Sequence, residues 1–397
     1  MSLSFDNTAT AFAYKSDKDL KSAKTLFSTM CYHPLVEIGT KFTPFLMKTG
    51  LPIDGIIRKT IFKQFIGGET MEDTRPVCEM LDKYGVDVVL DYGVEKKETE
   101  ENFERTADEY INIIRYAASQ KNIPAVTVKV TKIARFGLLQ KLNVAPRLRS
   151  GSLDNEEEAM EWQKVRKRMI RICDTADEMN IGILVDAEKS WVQDPIDRLA
   201  IDMMNIYNKD RAMVFNTLQM YRTDRLSFLN LSHRIAKIHN FILGVKLVRG
   251  AYAGKERERA LQMGYPSPVY QNQSDTDNAF DAAAAYCIEN SSNIDCVICT
   301  HNEESIRKAL SLADSNDLPR FNQQIHFSQL YGMGDNITFN LAEKGYPVTK
   351  SLPFGAVRDV IPYLMQLARE NGSVKKETNR DLALIKKELA RRKNGIK

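Results

Sequence analysis

Several features that place proteins in specialised classes are missing from this sequence. No segment approaches the roughly 20 apolar residues of a membrane-spanning helix. The first 14 residues carry Asp6 but no basic region followed by a long apolar stretch, so we expect no secretory signal. The 56 basic and 52 acidic residues leave a net charge of only +4, without the concentrated positive field of a nucleic-acid-binding protein. We therefore expect no nucleic acid partner and a cytoplasmic location.

A framework of paired cysteines is also missing. The six cysteines are scattered along the chain, which is typical of proteins from a reducing compartment. Only Cys296 and Cys299 have a spacing found in metal sites, and they lie in an apolar run that is typical of a strand. Positions three apart on a strand point to opposite faces, so we expect two core thiols rather than a shared metal ion or a disulfide.

The sequence does contain a regular alternation of short β-branched runs with longer segments of helical apolar spacing. The runs cover residues 86–91, 125–131, 181–188, 212–219, 241–248, 294–301, 324–330 and 347–352. Apolar strands that alternate with helices indicate a parallel sheet covered on both faces, and eight such units match a closed (βα)8 barrel of the TIM type, an α/β fold. An open doubly wound sheet is the alternative, disfavoured because no Gly-rich dinucleotide fingerprint follows Asp91.

The segments that flank these runs differ in character. Residues 1–80 have helical patches at 20–30 and 56–65 but no strand pattern, so we predict a helical arm that packs on the barrel. Residues 81–373 are the predicted barrel, and residues 374–397 are a basic helical tail. We interpret this tail as a solvated helix rather than as a weak peripheral contact with the anionic inner face of a membrane. The long connections at 133–155 and 254–274 are expected to wall the active site.

Polar side chains stand near the carboxyl ends of six predicted strands, where barrel enzymes place their catalytic groups. They are Asp91, Lys129, Asp186, Glu188, Gln219, Lys246, Arg249, Thr300 and His301. Unpaired polar groups in apolar surroundings cost several kcal/mol, so we expect these residues to meet one another or a ligand.

Some of these positions leave alternatives open. Lys129 and Asp186 are expected on adjacent strands, as an ion pair that only fixes the barrel mouth or as a pair that orients a substrate or cofactor. A lysine there is also a candidate Schiff-base nucleophile, as in aldolases of the same fold. His301 is either a satisfied core histidine or a cofactor contact. Gly250 and Ala251 allow a backbone to approach a phosphate or a flat ring closely, although this pair alone is a weak signal.

Five short motifs run along the predicted barrel. They are Lys246-Leu247-Val248-Arg249-Gly250-Ala251-Tyr252, Leu218-Gln219-Met220-Tyr221, Cys299-Thr300-His301-Asn302, Gln329-Leu330-Tyr331-Gly332-Met333, and a frame from Tyr363-Leu364 to Glu370-Asn371. Together they resemble the proline dehydrogenase family of flavoenzymes, over residues from about 86 to 371.

The resemblance implies FAD at the barrel mouth, hydride transfer to flavin N5 from a carbon next to a ring nitrogen, and reoxidation by a quinone. It implies a cofactor-binding set of Val185 (through its backbone), Gln219, Lys246, Arg249, Gly250, Ala251, Thr300, His301 and Glu370. It implies a substrate-binding set of Lys129, Tyr252, Leu330, Ser351, Tyr363, Gln366 and Leu367, with Asp186, Lys246 and Lys129 as catalytic residues. Because a reduced flavin carries negative charge, Lys246 and Arg249 are suited to stabilise it.

Three positions depart from the family's pattern, and all three concern the substrate. Ser351 stands where the family usually has a tyrosine, and it resembles the hydroxyproline-oxidising branch. Gln366 and Leu367 stand where the family has two arginines. Their loss removes two charge-assisted contacts to a carboxylate, each worth about 1.5–3 kcal/mol. We expect Arg369 or Lys350 to compensate only in part.

We therefore predict an FAD-dependent amine dehydrogenase that oxidises a proline-like or other cyclic or secondary amine and turns over L-proline poorly. Its small-molecule partners are an amine or imino acid and a quinone electron acceptor. The first alternative is an ordinary L-proline or hydroxyproline dehydrogenase that forms pyrroline-5-carboxylate. The others are a flavin-binding relative without catalysis and, least favoured, a Schiff-base lyase.

Overall fold

Eight parallel strands close into a barrel in which each strand pairs with the next and the eighth pairs with the first. The computed structural model describes residues 3–31, 54–93, 97–144, 156–316, 318, 324–360 and 372–395. The strands are β1 Asp87–Tyr92, β2 Ala125–Val128, β3 Gly182–Val185, β4 Val214–Gln219, β5 Leu243–Val248, β6 Ile294–Cys299, β7 Ile325–Leu330 and β8 Val348–Phe354. The predicted (βα)8 fold is confirmed, and the pairing of β8 with β1 excludes the open doubly wound sheet.

The strands begin and end close to the predicted limits, with the largest differences at the ends of β2 and β3. β2 ends at Val128 because the chain then turns into a 3-10 helix, Val130–Lys132, so Lys129 follows the strand instead of lying in it. β3 ends at Val185, and Asp186 and Glu188 therefore belong to the loop above the strand. These side chains still lie at the carboxyl end of the barrel.

Most of the helices in the described residues join consecutive strands and cover the outside of the barrel, while the first five precede β1 and the last follows β8. They are α1 Thr8–Ala11, α2 Asp17–Met30, α3 Asp54–Ile57, α4 Lys63–Phe65, α5 Arg75–Asp82, α6 Glu100–Ala118, α7 Phe136–Val144, α8 Glu156–Met179, α9 Ser190–Tyr207, α10 Arg225–His239, α11 Ala253–Met263, α12 Gln273–Glu289, α13 Glu303–Ser315, α14 Asp335–Glu343 and α15 Gly372–Lys393. A π-helical turn, Arg58–Phe62, joins α3 to α4, and Glu72–Thr74 is a 3-10 turn. Local signals explain where two of these helices begin or end. The Thr99 hydroxyl caps the start of α6 by accepting from the Asn102 N–H, and α11 ends at Gly264, whose φ of 71° lies in the left-handed region.

Strand side chains alternate between two apolar layers, one inside the barrel and one between the strands and the helices. Cys296 is fully buried in the outer layer. Cys299 belongs to the inner layer, with Leu184 and Val297. The predicted opposite orientation of the two thiols is therefore confirmed, and all six cysteines are free. Because the inner layer is apolar at depth, polar inward side chains gather above it at the carboxyl ends of the strands.

Helices α2 and α15, one near each end of the chain, share a second apolar core outside the barrel. Leu20 and Phe27 of α2 pack in it together with Leu384 and Ile385 of α15, and each of the four is at most 1% exposed. The interpretation of the tail as a solvated helix is wrong for this side, because apolar side chains lie between its many charged ones. The Arg392 guanidinium also donates to backbone carbonyls of the N-terminal arm. The domain limits at 80 and 373 stay predictions.

Among the described residues, none of the helices is both long enough and apolar enough to cross a bilayer.

Candidate active site

A cavity of about 520 Å³ opens at the carboxyl end of the barrel. All eight strands or the residues that directly follow them contribute side chains to it. These are Val89, Asp91 and Tyr92 of β1, Lys129 and Thr131 after β2, Leu184 of β3 and Asp186 after it, Thr217 and Gln219 of β4, Lys246 and Val248 of β5, Cys299 of β6 and Thr300 after it, Ser328 and Leu330 of β7, and Ser351 of β8. Its size is that of a small-molecule or cofactor site.

Only the first of the two long connections predicted as active-site walls reaches this cavity, through Phe136. The prediction is wrong for residues 254–274, since none of them lines the cavity, although Tyr252 just before them does. Each connection contains a helix, α7 and α11, so the length of these segments reflects folded structure rather than extended loops. Residues 145–155 of the first connection lie outside the described residues.

Four charged side chains form a continuous chain across the floor of the cavity. The Lys246 ammonium lies 2.7 Å from Asp186 Oδ1, and the Lys129 ammonium lies 3.3 Å from Asp186 Oδ2. Lys129 also makes a close ion pair with Asp91. The predicted pairing of Lys129 with Asp186 is therefore present, and Lys246, expected among the flavin contacts, joins the same carboxylate. We call these four residues the floor network.

Mutual compensation keeps Asp186, Lys129 and Lys246 of the floor network ionised. Burial alone would raise the pKa of Asp186, but the ammonium groups of Lys246 and Lys129 hold it below its usual range. Burial would likewise lower the pKa of Lys129, and Asp91 and Asp186 raise it well above the ordinary value. The pKa of Lys246 is also raised, despite its burial, by Asp186. A Schiff-base nucleophile needs a neutral amine, so these shifts oppose the lyase reading of either lysine.

His301 is held in one protonation state by its surroundings. Its Nε2 accepts the backbone N–H of Leu330 at 3.1 Å. Burial, together with the positive charges of Lys350 and Arg249, lowers the pKa of His301 to about 3. The ring is thus neutral with its proton on Nδ1, a hydrogen-bond donor beside the cavity that it lines. The two readings of this residue are compatible, because the fold satisfies Nε2 while the ring also lines the cavity.

Arg249 is fixed by contacts with Thr300 and with two helices on the outside of the barrel. Its guanidinium donates to Asp277 Oδ1 at 2.6 Å, to the Thr300 hydroxyl and to Ser305 Oγ at 2.9 Å, and it lies 4.4 Å from the centroid of the Phe280 ring. The charge of Arg249 is therefore compensated by Asp277. Asp277, Ser305 and Phe280 belong to helices α12 and α13, and sequence reasoning missed them because helical residues outside the motifs carry no signal for such contacts.

Gly250 is required by a side chain of the protein itself. Its φ of 122° lies where L-residues are strained, and a Cβ placed there would lie 2.2 Å from Cδ1 of Tyr221. The Tyr221 ring lies against this backbone, so the fold by itself requires glycine here, and the role of Gly250 toward a cofactor stays a prediction. Ala251, next in the chain, is exposed at the rim of the cavity.

Tyr252 and Gln219 are both connected to Glu188. The Tyr252 hydroxyl lies 3.5 Å from Glu188 Oε2, and Thr131 donates to Oε1 of the same carboxylate at 3.0 Å. The Gln219 amide donates to the Glu188 backbone carbonyl at 2.6 Å. Lys189, missed by the motifs, places its ammonium 4.9 Å from the centroid of the Tyr252 ring. Loops after three strands are thereby joined at one wall of the cavity.

Several predicted residues have a different position. The Val185 side chain is fully buried in the outer apolar layer, so only its backbone is near the mouth. The expectation that Lys350 compensates for a lost arginine is wrong: Lys350 is 1% exposed and pairs at 3.0 Å with Asp335 of α14, outside the barrel. Its neighbour Ser351 lines the cavity, because successive strand residues face opposite sides. Four other predicted residues and Arg369 lie outside the described residues, namely Tyr363, Gln366, Leu367 and Glu370.

The C-terminal helix also reaches the cavity, which the sequence did not suggest. Glu377 of α15 and Met333, just before α14, line it beside the residues of the strands. The helix that was interpreted as a tail is therefore part of the wall.

The chain is similar in sequence to several known proteins. The family model described as Proline dehydrogenase matches residues 75–380. The chain is 31% identical to the carbapenem antibiotics biosynthesis protein CarD of Pectobacterium carotovorum subsp. carotovorum, over 94% of this chain and 96% of that protein. It is 28% identical to proline dehydrogenase 1 (mitochondrial) of Dictyostelium discoideum, over 97% and 74%. It is 27% identical to the hydroxyproline dehydrogenase of Xenopus laevis, over 85% and 78%.

Solved structures are similar in fold. Proline utilization A (PutA) from Bdellovibrio bacteriovorus, inactivated by N-propargylglycine, matches with a TM-score of 0.69 and 21% identity, over 80% of this chain and 33% of that one. The PutA protein of Bradyrhizobium japonicum, as the mutant D779W, matches with a TM-score of 0.63 and 20% identity, over 82% and 33%. The chain thus spans about a third of the length of these structures.

Proposed function

The chain belongs to the proline dehydrogenase family, and from this premise we propose that it is an FAD-dependent oxidoreductase acting on proline-like or other cyclic or secondary amines. The observation that carries the proposal is the floor network: two buried lysines and two aspartates gathered under a cavity of cofactor size. When bound, FAD supplies the electron acceptor for a hydride leaving the carbon next to the amine nitrogen.

The donor groups at the mouth fit FAD in chemistry. Lys246 lines the cavity floor, where its ammonium N–H groups could donate to a reduced flavin while it stays paired with Asp186. His301 offers a neutral N–H donor, and Gln219 and Thr300 add polar groups on the same wall. The Thr217 hydroxyl is buried without a hydrogen-bond partner among the described residues, and it lines the same cavity. These residues would hold the cofactor, with Arg249 fixing the position of Thr300.

Charge compensation in the cavity supports an altered substrate. A substrate carboxylate needs a cation whose charge is not already cancelled. The floor lysines face Asp91 and Asp186, Arg249 faces Asp277, Lys189 lies 3.5 Å from Glu188 Oε2, and Lys350 lies outside the barrel. Lys97 and Lys132 also line the cavity, outside the floor network. Together with Gln366 and Leu367 at the positions of the family's two arginines, the compensation of the floor charges favours an amine without a free carboxylate. L-proline is then a poor substrate.

A second candidate is an ordinary dehydrogenase for hydroxyproline or L-proline. Ser351 favours it, because this small hydroxyl side chain lines the cavity where the family usually has a tyrosine and leaves room for a ring hydroxyl. A relative named hydroxyproline dehydrogenase is in keeping with this reading. A carboxylate substrate would then depend on cations outside the floor network, such as Lys97 or Lys132 on the cavity wall, or Arg369, which lies outside the described residues.

An anaerobic screen of flavin reduction separates these functions. Purified protein loaded with FAD is mixed with pyrrolidine, L-proline methyl ester, L-proline and 4-hydroxy-L-proline, and bleaching of the flavin band is followed. We expect the ester or the unsubstituted amine to reduce the flavin fastest. Efficient reduction by L-proline would refute the altered specificity, and no reduction by any amine would favour a flavin-binding relative without catalysis. Quinone addition after reduction tests the proposed acceptor.

A further inference from the structure

Glu256 of α11 is a fully buried acidic residue that has no role in the site described above. Its side chain is 0% exposed, and it does not line the cavity. Its Oε1 accepts the backbone N–H of Ser190 at 2.7 Å, and its Oε2 accepts the Ser190 hydroxyl at 2.6 Å. Both oxygens of one carboxylate therefore bind the first residue of helix α9.

These two bonds replace the cap that α9 lacks in its own sequence. The first N–H groups of a helix have no partner within the helix, and the side chain of the preceding residue usually accepts from one of them. The residue before α9 is Lys189, whose side chain makes no such bond. Glu256 supplies the acceptor from a different helix, at the end of α9 where the helix dipole favours a carboxylate.

A second contact lies beside the first. The Arg259 guanidinium, almost one turn after Glu256, lies 4.6 Å from the centroid of the Trp191 ring, and Trp191 follows Ser190. A cation over an aromatic ring is an attractive contact. We call these contacts of Glu256 with Ser190 and of Arg259 with Trp191 the α9–α11 clasp.

The clasp joins two loops that form one wall of the cavity. The loop between β3 and α9 carries Glu188 and Lys189, which both line the cavity. On the other side, the Glu256 N–H donates to the carbonyl of Tyr252, which lines the cavity as well. The direct contacts between the loops are long, at 3.5 Å from the Tyr252 hydroxyl to Glu188 and 4.9 Å from Lys189 to the Tyr252 ring. The short, buried bonds of Glu256 are stronger, so they decide how far apart the loops lie.

We propose that Glu256 is a positioning residue: by capping α9 from α11, it holds Tyr252 against the loop after β3 and so fixes the wall on which the amine binds. This inference rests on the proposed function, because Tyr252 belongs to the predicted substrate-binding set. Glu256 acts only through the position of other residues, and a shift of the wall by about 1 Å is enough to weaken a well-oriented complex.

The test measures flavin reduction by L-proline methyl ester in the FAD-loaded protein, under anaerobic conditions in a stopped-flow instrument. The dependence of the rate on ester concentration gives the Kd of the ester and the limiting rate separately. We expect Glu256→Ala to raise the Kd at least about tenfold and to change the limiting rate less than about threefold. A merely structural role would lower the stability of the fold and leave the Kd of the folded protein unchanged.

Two variants serve as controls. Glu258→Ala removes an exposed carboxylate of the same helix and should leave the Kd unchanged. Glu256→Gln keeps an oxygen that accepts from Ser190, so its Kd should stay within about threefold of the parent value. A smaller rise in Glu256→Ala, an equal rise in Glu258→Ala, or a Kd for Glu256→Gln as high as for Glu256→Ala would overturn the inference.

Tryptophan fluorescence reports on the clasp without any flavin chemistry. The chain has two tryptophans, so Trp162→Phe leaves Trp191 as the single reporter. In this background, Glu256→Ala should shift the Trp191 emission to longer wavelength, and Glu258→Ala should not. An unchanged emission in Glu256→Ala would contradict the clasp.

Two further measurements keep the inference falsifiable. If Glu256→Ala does not fold, Ser190→Ala removes only the hydroxyl bond and should raise the Kd at least about threefold, and an unchanged Kd overturns the role of Glu256. If no amine reduces the flavin, the proposed function fails. The Kd of pyrrolidine, read from the spectrum of the oxidised flavin, then tests Glu256 by the same comparison of variants.

Discussion

The variant Asp186→Asn tests whether the floor network is a charge-compensated unit. Asp186 is the one member that contacts both lysines, at 2.7 Å to Lys246 and 3.3 Å to Lys129. Removing one partner of a buried ion pair costs about 3–5 kcal/mol. We expect the free energy of unfolding to fall by about 3 kcal/mol at pH 7, the lower end of this range. The Asn oxygen still accepts a hydrogen bond, and Lys129 keeps its ion pair with Asp91.

The pH dependence of this loss has a defined sign. In the parent protein the Lys246 pKa is raised above 10.5, so its contribution to stability is fully present below 10.5 and is lost only as the pH rises through the higher folded value. In the variant, burial without Asp186 should bring the folded pKa of Lys246 below its unfolded value. The free energy of unfolding of the variant should then rise with pH between these two pKa values. The stability difference between the variant and the parent protein should therefore be smaller at pH 9.5 than at pH 7.

Urea unfolding followed by circular dichroism at pH 7 and pH 9.5 measures both effects. Asp210→Asn is the control, because Asp210 is exposed and its loss should change stability by no more than about 0.5 kcal/mol. A loss below about 1 kcal/mol at pH 7 would refute the reasoning, since it lies in the range of surface pairs. A deficit that is equal at both pH values would contradict the role assigned to Lys246.

Three further predictions concern other parts of the site. Gly250→Ala should lower the affinity for FAD at least about tenfold, because the added Cβ would lie 2.2 Å from the Tyr221 ring and displace the loop after β5. Fluorescence titration measures the affinity, and an unchanged value would contradict this prediction. His301, with a pKa lowered to about 3, should keep its Nδ1–H tautomer from pH 5 to pH 8 in nitrogen-15 spectra, and titration near pH 6.5 would contradict that. Installing arginine at both Gln366 and Leu367 should raise kcat/KM for L-proline about tenfold or more. Unchanged proline turnover would show that the missing arginine pair is not the sole barrier.

The barrel could be predicted because parallel strands buried on both faces need continuous apolar runs, and eight of these are visible. The alternation of strand side chains also fixed the opposite faces of Cys296 and Cys299. The same alternation places Lys350 and Ser351 on opposite faces of β8, so the sequence already indicates that only one of the two faces the cavity. The prediction that the tail is a solvated helix was wrong because its few apolar residues, although helically spaced, stand among many charged ones.

Part of the site depends on geometry that the sequence does not specify. The pair of Lys129 with Asp186 follows from the adjacency of β2 and β3. The participation of Lys246, two strands away from β3, depends on the curvature of the closed barrel and the length of the side chain. Contacts from helices, such as Asp277 with Arg249, follow from packing angles and have no motif.

The comparison of L-proline methyl ester with L-proline tests the central claim most directly, because esterification removes the negative charge of the carboxyl group and adds only one methyl group. The quantity to measure is kcat/KM for each, with the same FAD-loaded protein and a soluble quinone. A cavity with a neutral floor predicts that the ester is preferred by about tenfold or more. Equal values, or a preference for L-proline, would contradict the claim that this member of the family has lost its recognition of a carboxylate.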